Sequence, residues 1–169
     1  MTKHRDYLLI ALEEARLGQT QGQIPIGCAI VEEDGSLLAR AHNRVVELED
    51  PTAHAEMLAI RAALDTSTAR NPRGWALFST LEPCAMCLGT IVMCHIGTVI
   101  WAASDPYIEG HKLLSATVHM QSRRLQVIAC PCPEIERESW ELHKDYWIAK
   151  GRPDAVQLIE ELVVRDVHR

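Results

Sequence analysis

Hydrophobic and polar positions recur along the chain with two different periods. Near the amino terminus apolar residues recur at helical spacing, at Tyr7, Leu8, Ala11, Leu12 and Ala15. This spacing predicts an amphipathic helix, because residues three or four apart share one face of a helix. Gly18 and Gly22 are expected to end it.

Short segments rich in branched and aromatic residues predict strands. They are residues 26–31, 37–41, 75–79, 99–102 and 125–129. Helical patterns start near Pro51, at Pro83, at Pro133 and at Asp154. A polar loop is expected at 66–74, and a loop with one helical turn at 105–121. A hairpin followed by strands that alternate with helices predicts an α/β fold, with a mixed sheet sandwiched between helices.

Size and composition favour one domain over residues 1–169, since the chain is 47% hydrophobic and shows no repeat or linker. Its 17 basic and 23 acidic residues give a net charge of −6, which argues against a protein that grips nucleic acid by its phosphates. The residues after Met1 are polar, and no apolar run approaches the ~20 residues of a membrane span. A cytoplasmic protein without membrane contact is expected.

Two motifs carry the candidate chemistry. The first is His54-Ala55-Glu56, and the second, about thirty residues later, is Pro83-Cys84-Ala85-Met86-Cys87. Cysteines three apart lie on one face of a helix and can hold one ion together. At the start of that helix, the positive end of its dipole favours thiolate over thiol. One imidazole and two thiolates predict a site for one Zn²⁺ per chain.

Three protein ligands leave the fourth zinc position open, as in catalytic sites. An open position takes a water molecule, and the metal lowers the pKa of that water toward ~7. Glu56 is then free to move protons. Because positions two apart face opposite sides of a helix, His54 and Glu56 can share a site only near a helix end. Asp50-Pro51-Thr52 supplies a capping residue and a proline for such a start.

His-x-Glu followed by Pro-Cys-x-x-Cys is the signature of zinc-dependent base deaminases. From about Tyr7 to about Asp105 the chain resembles the cytidine-deaminase-fold superfamily, in the branch of guanine, fungal-type cytosine and tRNA adenosine deaminases. The resemblance implies a three-layer α/β/α fold with a central mixed five-stranded sheet, a homodimer and hydrolytic deamination with Glu56 as the proton shuttle. It fades beyond Asp105, and the part from about residue 131 is a divergent helical region.

The resemblance also implies substrate contacts. Asn43 would place its amide against the base, the backbone N–H of Ala55 would meet the polar edge of the ring, and Ile26 and Gly27 would line the pocket wall. Asp105 either reads the base or serves as a turn residue before Pro106. An aromatic residue of the last part of the chain, Trp147, is a candidate to close the pocket, with core packing as its alternative role.

Three functions remain open. The acidic segment 105–111 and the acidic carboxy-terminal helices favour a free nucleobase or nucleoside, of guanine or cytosine type, as the substrate. The alternative is a tRNA adenosine deaminase, which a basic surface around the pocket would indicate. The third is a zinc module without activity, in which Cys130 or Cys132 closes the coordination sphere. His111, His119 and His143 are expected to be solvated.

Overall fold

Five strands form one mixed sheet in the computed structural model of the protein, which describes residues 2–66 and 71–166. They are β1 (Gly27–Val31), β2 (Leu37–His42), β3 (Ala76–Leu81), β4 (Thr98–Ala103) and β5 (Gln126–Ala129). The order across the sheet is β2-β1-β3-β4-β5. β1 pairs antiparallel with β2 and with β3, whereas β3, β4 and β5 run parallel. The mixed five-stranded sheet predicted from the sequence is confirmed.

Helices connect and follow these strands. They are α1 (Thr2–Thr20), α2 (Val45–Leu48), α3 (Ala55–Thr66), α4 (Ala85–Met93), α5 (Leu113–Ala116), α6 (Val118–Ser122), α7 (Pro133–Ala149) and α8 (Pro153–Asp166). Short 3₁₀ turns lie at Pro72–Gly74 and Gly110–Lys112. No helix of the described part of the chain is long and apolar enough to cross a membrane.

The two faces of the sheet carry separate hydrophobic cores, because successive residues of a strand point to opposite faces. In β1, Cys28 and Ile30 pack with residues of α3 and α4, whereas Ala29 and Val31 pack with residues of α1 and α7. Helices therefore cover both faces, which gives the predicted α/β/α layering. The helices that carry the two motifs lie together on one face.

Several predicted boundaries were wrong. The first helix continues through Gly18 to Thr20, and the chain turns at Gly22, whose φ is +75°. The helix that carries the first motif does not start at Pro51, because Asp50 Oδ1 instead accepts hydrogen bonds from the N–H and the hydroxyl of Thr52 and closes a turn. Helix α3 starts at Ala55.

The segment 105–121, expected to be mostly loop, contains the turn at Gly110–Lys112 and two short helices. The helix expected to start at Pro83 starts two residues later. Of the expected loop 66–74, residues 67–70 lie outside the described residues, and Thr66 belongs to α3. Such short features escape periodicity, since four or five residues span little more than one helical turn.

The expectation that His143 is solvated was wrong. Its side chain lies in α7, where that helix packs against α1, β4 and α8, and only 6% of the residue is exposed. Nε2 of the ring is buried without a hydrogen-bond partner among the described residues. Burial lowers the pKa of His143 to about 4. His119 and His111 are exposed, as expected, and His111 also binds a buried carboxylate described below.

Candidate active site

Two helix starts bring the motif residues together. His54 directly precedes α3, and Glu56 is the second residue of that helix. Cys84 is the N-cap residue of α4 and Cys87 lies in its first turn. His54 and Glu56 are therefore at a helix end, where residues two apart can reach the same point. This is the placement that the spacing of His54 and Glu56 predicts.

The side chains of His54, Cys84 and Cys87 form a compact group, with their ligand atoms all within 4.8 Å of one another. Nδ1 of His54 lies 3.7 Å from Sγ of Cys84 and 3.5 Å from Sγ of Cys87. A tetrahedral zinc ion with Zn–N of about 2.05 Å and Zn–S of about 2.3 Å separates its N and S ligands by about 3.6 Å. The three side chains thus fit one zinc ion without rearrangement.

The protonation of the cysteines reflects their contact. Hydrogen bonding from the Cys87 thiol lowers the pKa of Cys84 to about 4, with a further contribution from His54. The same pairing raises the pKa of Cys87, and burial adds to it. Hydrogen bonding with Cys84 raises the pKa of His54. Protons hold the hydrogen bonds between these three side chains when no metal is bound. Because zinc binds thiolates and neutral imidazole, metal binding must release these protons.

Glu56 is buried beside this group, with 3% of the residue exposed. Its Oε2 lies 3.5 Å from Sγ of Cys87, and its Oε1 accepts a hydrogen bond from Oγ of Ser79 at 3.2 Å. Burial raises the pKa of the Glu56 carboxyl. A carboxyl group beside a metal site can both accept a proton from water and return it to another atom.

Within the described part of the chain, no other group of three or more His, Cys, Asp or Glu side chains could hold a metal ion. Neither Cys130 nor Cys132 joins the group at His54. Sγ of Cys130 lies 3.4 Å from Oγ of Ser104, and Cys132 is buried in the core between α1 and α7. The geometry therefore leaves the fourth zinc position to a water molecule or a substrate.

Asn43 and Ala55 are two of the expected substrate contacts, and Ala55 lies between His54 and Glu56 in the chain. Asn43 is buried, and its Oδ1 accepts a hydrogen bond from the N–H of Val45 at 3.1 Å, so this oxygen fixes the start of α2. Its Nδ2 donates no hydrogen bond to any described residue and is available to a ligand. Ala55 is the first residue of α3, and such an N–H has no partner within its helix.

Ile26 and Gly27 were expected to line the pocket wall. Ile26 packs against the core on the side of α3 and α4, and its carbonyl accepts a hydrogen bond from the N–H of Asn43. Gly27 faces the other way. A Cβ on Gly27 would lie 1.9 Å from the carbonyl oxygen of Ala11 in α1, so α1 can pack this closely only because Gly27 has no side chain. Only backbone atoms of Gly27 could therefore contact a substrate.

A second buried carboxylate, Glu82, holds segment 105–111 against the metal-binding loop. Its Oε1 accepts hydrogen bonds from the N–H of His111 at 2.9 Å and from Nδ1 of that ring at 2.7 Å. Its Oε2 accepts one from the N–H of Asp105 at 3.1 Å. Sequence reasoning missed this role. The available signal was an acidic residue at the end of a strand that is otherwise buried.

The remaining two expected contacts have other partners in the structure. Oδ1 of Asp105 accepts hydrogen bonds from the N–H groups of Tyr107 and Ile108, which is the turn role left open above. The rings of Trp147 and Tyr146 meet edge-on with their centroids 4.9 Å apart, and Cζ of Arg152 lies 5.8 Å from the centroid of the Trp147 ring. Base contacts by Asp105 and Trp147 stay predictions.

Comparison with known proteins points to one family. Residues 1–103 match the model of the cytidine and deoxycytidylate deaminase zinc-binding region. A tRNA-specific adenosine deaminase of Aquifex aeolicus is 46% identical over 99 residues, which cover 59% of this chain and 65% of that protein. The chain thus spans slightly less than two thirds of the length of this curated relative.

Solved structures with the same fold include two kinds of deaminase. One comes from a study of A-to-I editing by tRNA:A34 deaminases at the wobble position; it is 34% identical, covers 74% of this chain and 97% of that one, and has a TM-score of 0.66. The other is a guanine deaminase from Bacillus subtilis, 38% identical over 60% of this chain and 64% of that one, with a TM-score of 0.56.

Proposed function

Because the chain belongs to the family of cytidine and deoxycytidylate deaminase zinc-binding domains, we propose that it is a zinc-dependent hydrolytic deaminase. The observation that carries the proposal is the three-ligand group of His54, Cys84 and Cys87 with a spare carboxylate, Glu56, beside it. A closed structural zinc site has a fourth protein ligand and no use for such a carboxylate.

In the proposed reaction water replaces an exocyclic amino group on a base, and ammonia leaves. A zinc ion bound to the three side chains supplies a water molecule acidified to near-neutral pKa. Glu56 accepts a proton from the attacking water and delivers it to a ring nitrogen, so that the amino-bearing carbon can become tetrahedral. Glu56 then transfers the second proton of the water to the departing amine, which leaves the carbonyl product.

Substrate orientation falls to groups at the rim of the site. Nδ2 of Asn43 donates to an acceptor on the base, and the N–H of Ala55 meets the polar edge of the ring. Ile26 supplies an apolar wall for one face of the base. A site built to pair with one pattern of donors and acceptors can reject another pattern by ~10⁴ or more, so these few contacts would set base specificity.

As the substrate we propose adenosine within tRNA. This reverses the preference that the acidic charge of the sequence suggested, and it rests on relatives such as the Aquifex aeolicus enzyme, which is named for tRNA adenosine. A net charge of −6 does not prevent RNA binding when a local basic surface, or the partner of a homodimer, supplies the phosphate contacts. The homodimer and the cytoplasmic location stay predictions.

A free purine base such as guanine is the second candidate, and a specific observation favours it. Two cations next to residues discussed above are paired within the chain: Arg44, which follows Asn43, donates from Nε to Glu47 at 2.8 Å, and Lys112, which follows His111, donates from Nζ to Glu109 at 2.5 Å. Cations engaged in this way have less charge to offer to phosphates. The guanine deaminase of Bacillus subtilis shares the fold.

Ammonia release from the zinc-loaded protein separates the two candidates. The substrates are a tRNA anticodon stem-loop with adenosine at the wobble position, and guanine, guanosine, cytosine, cytidine, adenine and adenosine in free form. The proposal expects turnover of the stem-loop and conversion of its adenosine to inosine. Turnover of a free base or nucleoside alone would reject tRNA as the substrate. Absence of ammonia release from every compound would reject the proposed deaminase activity.

The variant Glu56→Gln tests the proton shuttle in the same assay. We expect it to bind zinc as the wild type does and to lose at least about 10²-fold in turnover, within the range usual for a general acid–base group. The amide keeps the shape of the side chain but cannot accept the proton of water. Normal turnover by this variant would rule out the role assigned to Glu56.

A further inference from the structure

Ser79 is a polar residue in a strand that has no evident need for one. It lies in β3, whose residues from Leu77 onward are all buried, and 0% of Ser79 is exposed. A buried hydroxyl is costly unless it has a hydrogen-bond partner. A buried hydroxyl at the centre of a sheet is therefore expected to have a specific hydrogen-bond partner.

That partner is Glu56. Oγ of Ser79 donates a hydrogen bond to Oε1 of Glu56 at 3.2 Å, and this is the one hydrogen bond that the Ser79 hydroxyl makes within the described residues. The strand holds the donor firmly in place, since Ser79 is in register with Cys28 of β1 on one side and with Trp101 of β4 on the other. The donor thus belongs to the rigid sheet and the acceptor to the helix that carries the site.

The two oxygens of Glu56 have different neighbours. Oε1 faces Ser79, whereas Oε2 faces Sγ of Cys87 at 3.5 Å. A cysteine that binds a metal is a thiolate and has no proton to donate. When zinc is bound, Cys87 can therefore no longer hold Oε2, and Ser79 remains as the side-chain donor that fixes the carboxylate.

We propose that Ser79 is a positioning residue: its hydroxyl holds Oε1 of Glu56 so that Oε2 stays turned toward the metal and the attacking water. The inference rests on the proposed function for its effect on turnover, but the hydrogen bond itself can be tested without a substrate. A carboxylate that must take a proton at one point and release it at another gains from a fixed orientation, because small misplacements of catalytic groups slow reactions.

The kinetic test compares Ser79→Ala, Ser79→Thr and a matched control, Ser139→Ala. Ser139 is also buried, and among the described residues its hydroxyl bonds only to the carbonyl of Ile135 within α7, on the face of the sheet opposite the site. We expect Ser79→Ala to lower kcat about 10-fold, as loss of a supporting hydrogen bond does at metal sites, with KM and zinc content unchanged. Ser79→Thr keeps the hydroxyl and recovers kcat, and Ser139→Ala leaves kcat unchanged.

A structural test needs no activity. In a crystal structure of the zinc-loaded wild type we expect one rotamer of Glu56, with Oε1 bonded to Ser79, and in zinc-loaded Ser79→Ala more than one rotamer. A single, unchanged Glu56 rotamer in Ser79→Ala would overturn the proposal, as would an unchanged kcat or a Ser79→Thr enzyme as slow as Ser79→Ala. If the wild type acts on no compound tested, the proposed function fails, and the rotamers still decide this inference.

Discussion

Glu56 and Glu82 are two buried carboxylates near the same metal ligands, and their surroundings give them different roles. Glu82 accepts three hydrogen bonds from segment 105–111 and is thereby committed to holding that segment. Glu56 accepts one from Ser79, and its other oxygen faces the metal ligand Cys87. Of the two, only Glu56 keeps an oxygen beside a predicted metal ligand, which supports the proton role proposed for it, whereas the hydrogen bonds of Glu82 give it a structural role.

The buried ring of His143 makes stability depend on pH. The ordinary pKa of 6.5 is lowered to about 4 in the folded chain. Between pH 6.5 and pH 4, His143 is protonated in the unfolded chain but not in the folded one. The free energy of unfolding therefore decreases as the pH falls from 6.5 to 4. From these two pKa values the loss is about 2 kcal/mol at pH 5.

The variant His143→Leu removes this titration and also the unpartnered Nε2. We expect its free energy of unfolding, relative to the wild type, to increase by about 2 kcal/mol between pH 7 and pH 5. Urea titrations of both proteins at the two pH values measure this difference. His119→Leu, a change at an exposed histidine, is the control and should show no such increase. Parallel pH dependence of wild type and His143→Leu would contradict the assignment.

At the residue scale the sequence predicted the side chains that act as a group and missed those that act alone. His54, Glu56, Cys84 and Cys87 were found because their types and spacing are specific to one chemistry. Ser79, Glu82 and His143 carry no such spacing. The roles of Ser79 and Glu82 depend on contacts with residues 23 to 29 positions away in the chain, and the burial of His143 depends on helix packing.

At the scale of elements, helix α1 approaches the sheet at a point where no side chain intervenes. A Cβ on Gly27 would lie 1.9 Å from the carbonyl oxygen of Ala11 and 2.6 Å from the backbone nitrogen of Ala15. Backbone atoms of a helix cannot give way as a flexible side chain can. The close packing of α1 on β1, next to Ile26 and Asn43, therefore depends on glycine at this position.

The variant Gly27→Ala tests this dependence. We expect a loss of at least about 3 kcal/mol in the free energy of unfolding, the upper part of the range for overpacked cores, because α1 must move off the sheet. The matched control is Gly89→Ala in α4, where the nearest atom to a new Cβ is Leu113 Cδ2 at 3.8 Å. There alanine should be neutral or stabilising by up to about 1 kcal/mol. Equal stability of both variants in denaturant titrations would contradict the close approach.

The strands were predicted within two residues because their apolar runs are bounded by turn residues. Helix starts were less accurate, since Asp50 and Pro83 have the residue types that start helices but take part in a turn and a loop. Helix α2 was missed, and one helical turn was expected where α5 and α6 lie, because such short helices do not show a period. The position of segment 105–111 depends on Glu82, a contact that the local pattern does not contain.

At the scale of the whole molecule, zinc would join two parts of the chain that are thirty residues apart in sequence, from His54 to Cys84. Binding to the folded state alone stabilises it, by about 4 kcal/mol when free zinc exceeds its Kd a thousandfold. For a domain of this size that corresponds to about 10 °C in Tm. The zinc ligands thus contribute to the stability of the fold as well as to the site.

Removal of zinc by a chelator should therefore lower Tm by about 10 °C, and zinc added back should restore it. Acid should act in the same direction, because His54, with its raised pKa, must lose a proton before it binds metal. Calorimetry at pH 7 and zinc retention on dialysis between pH 7 and pH 5 measure the two effects. A Tm that does not respond to the chelator would show that zinc does not bridge these segments.

The activity proposed for this chain depends on one zinc ion held by three side chains with its fourth position open. X-ray absorption at the zinc edge tests this most directly. We predict two sulfur ligands at about 2.3 Å and two nitrogen or oxygen ligands at about 2.0–2.1 Å, from His54 and a water molecule. The Cys87→Ser variant should lose one sulfur ligand. Three sulfur ligands in the wild type, with Cys130 or Cys132 in the coordination sphere, would mean a closed site and would contradict a catalytic role.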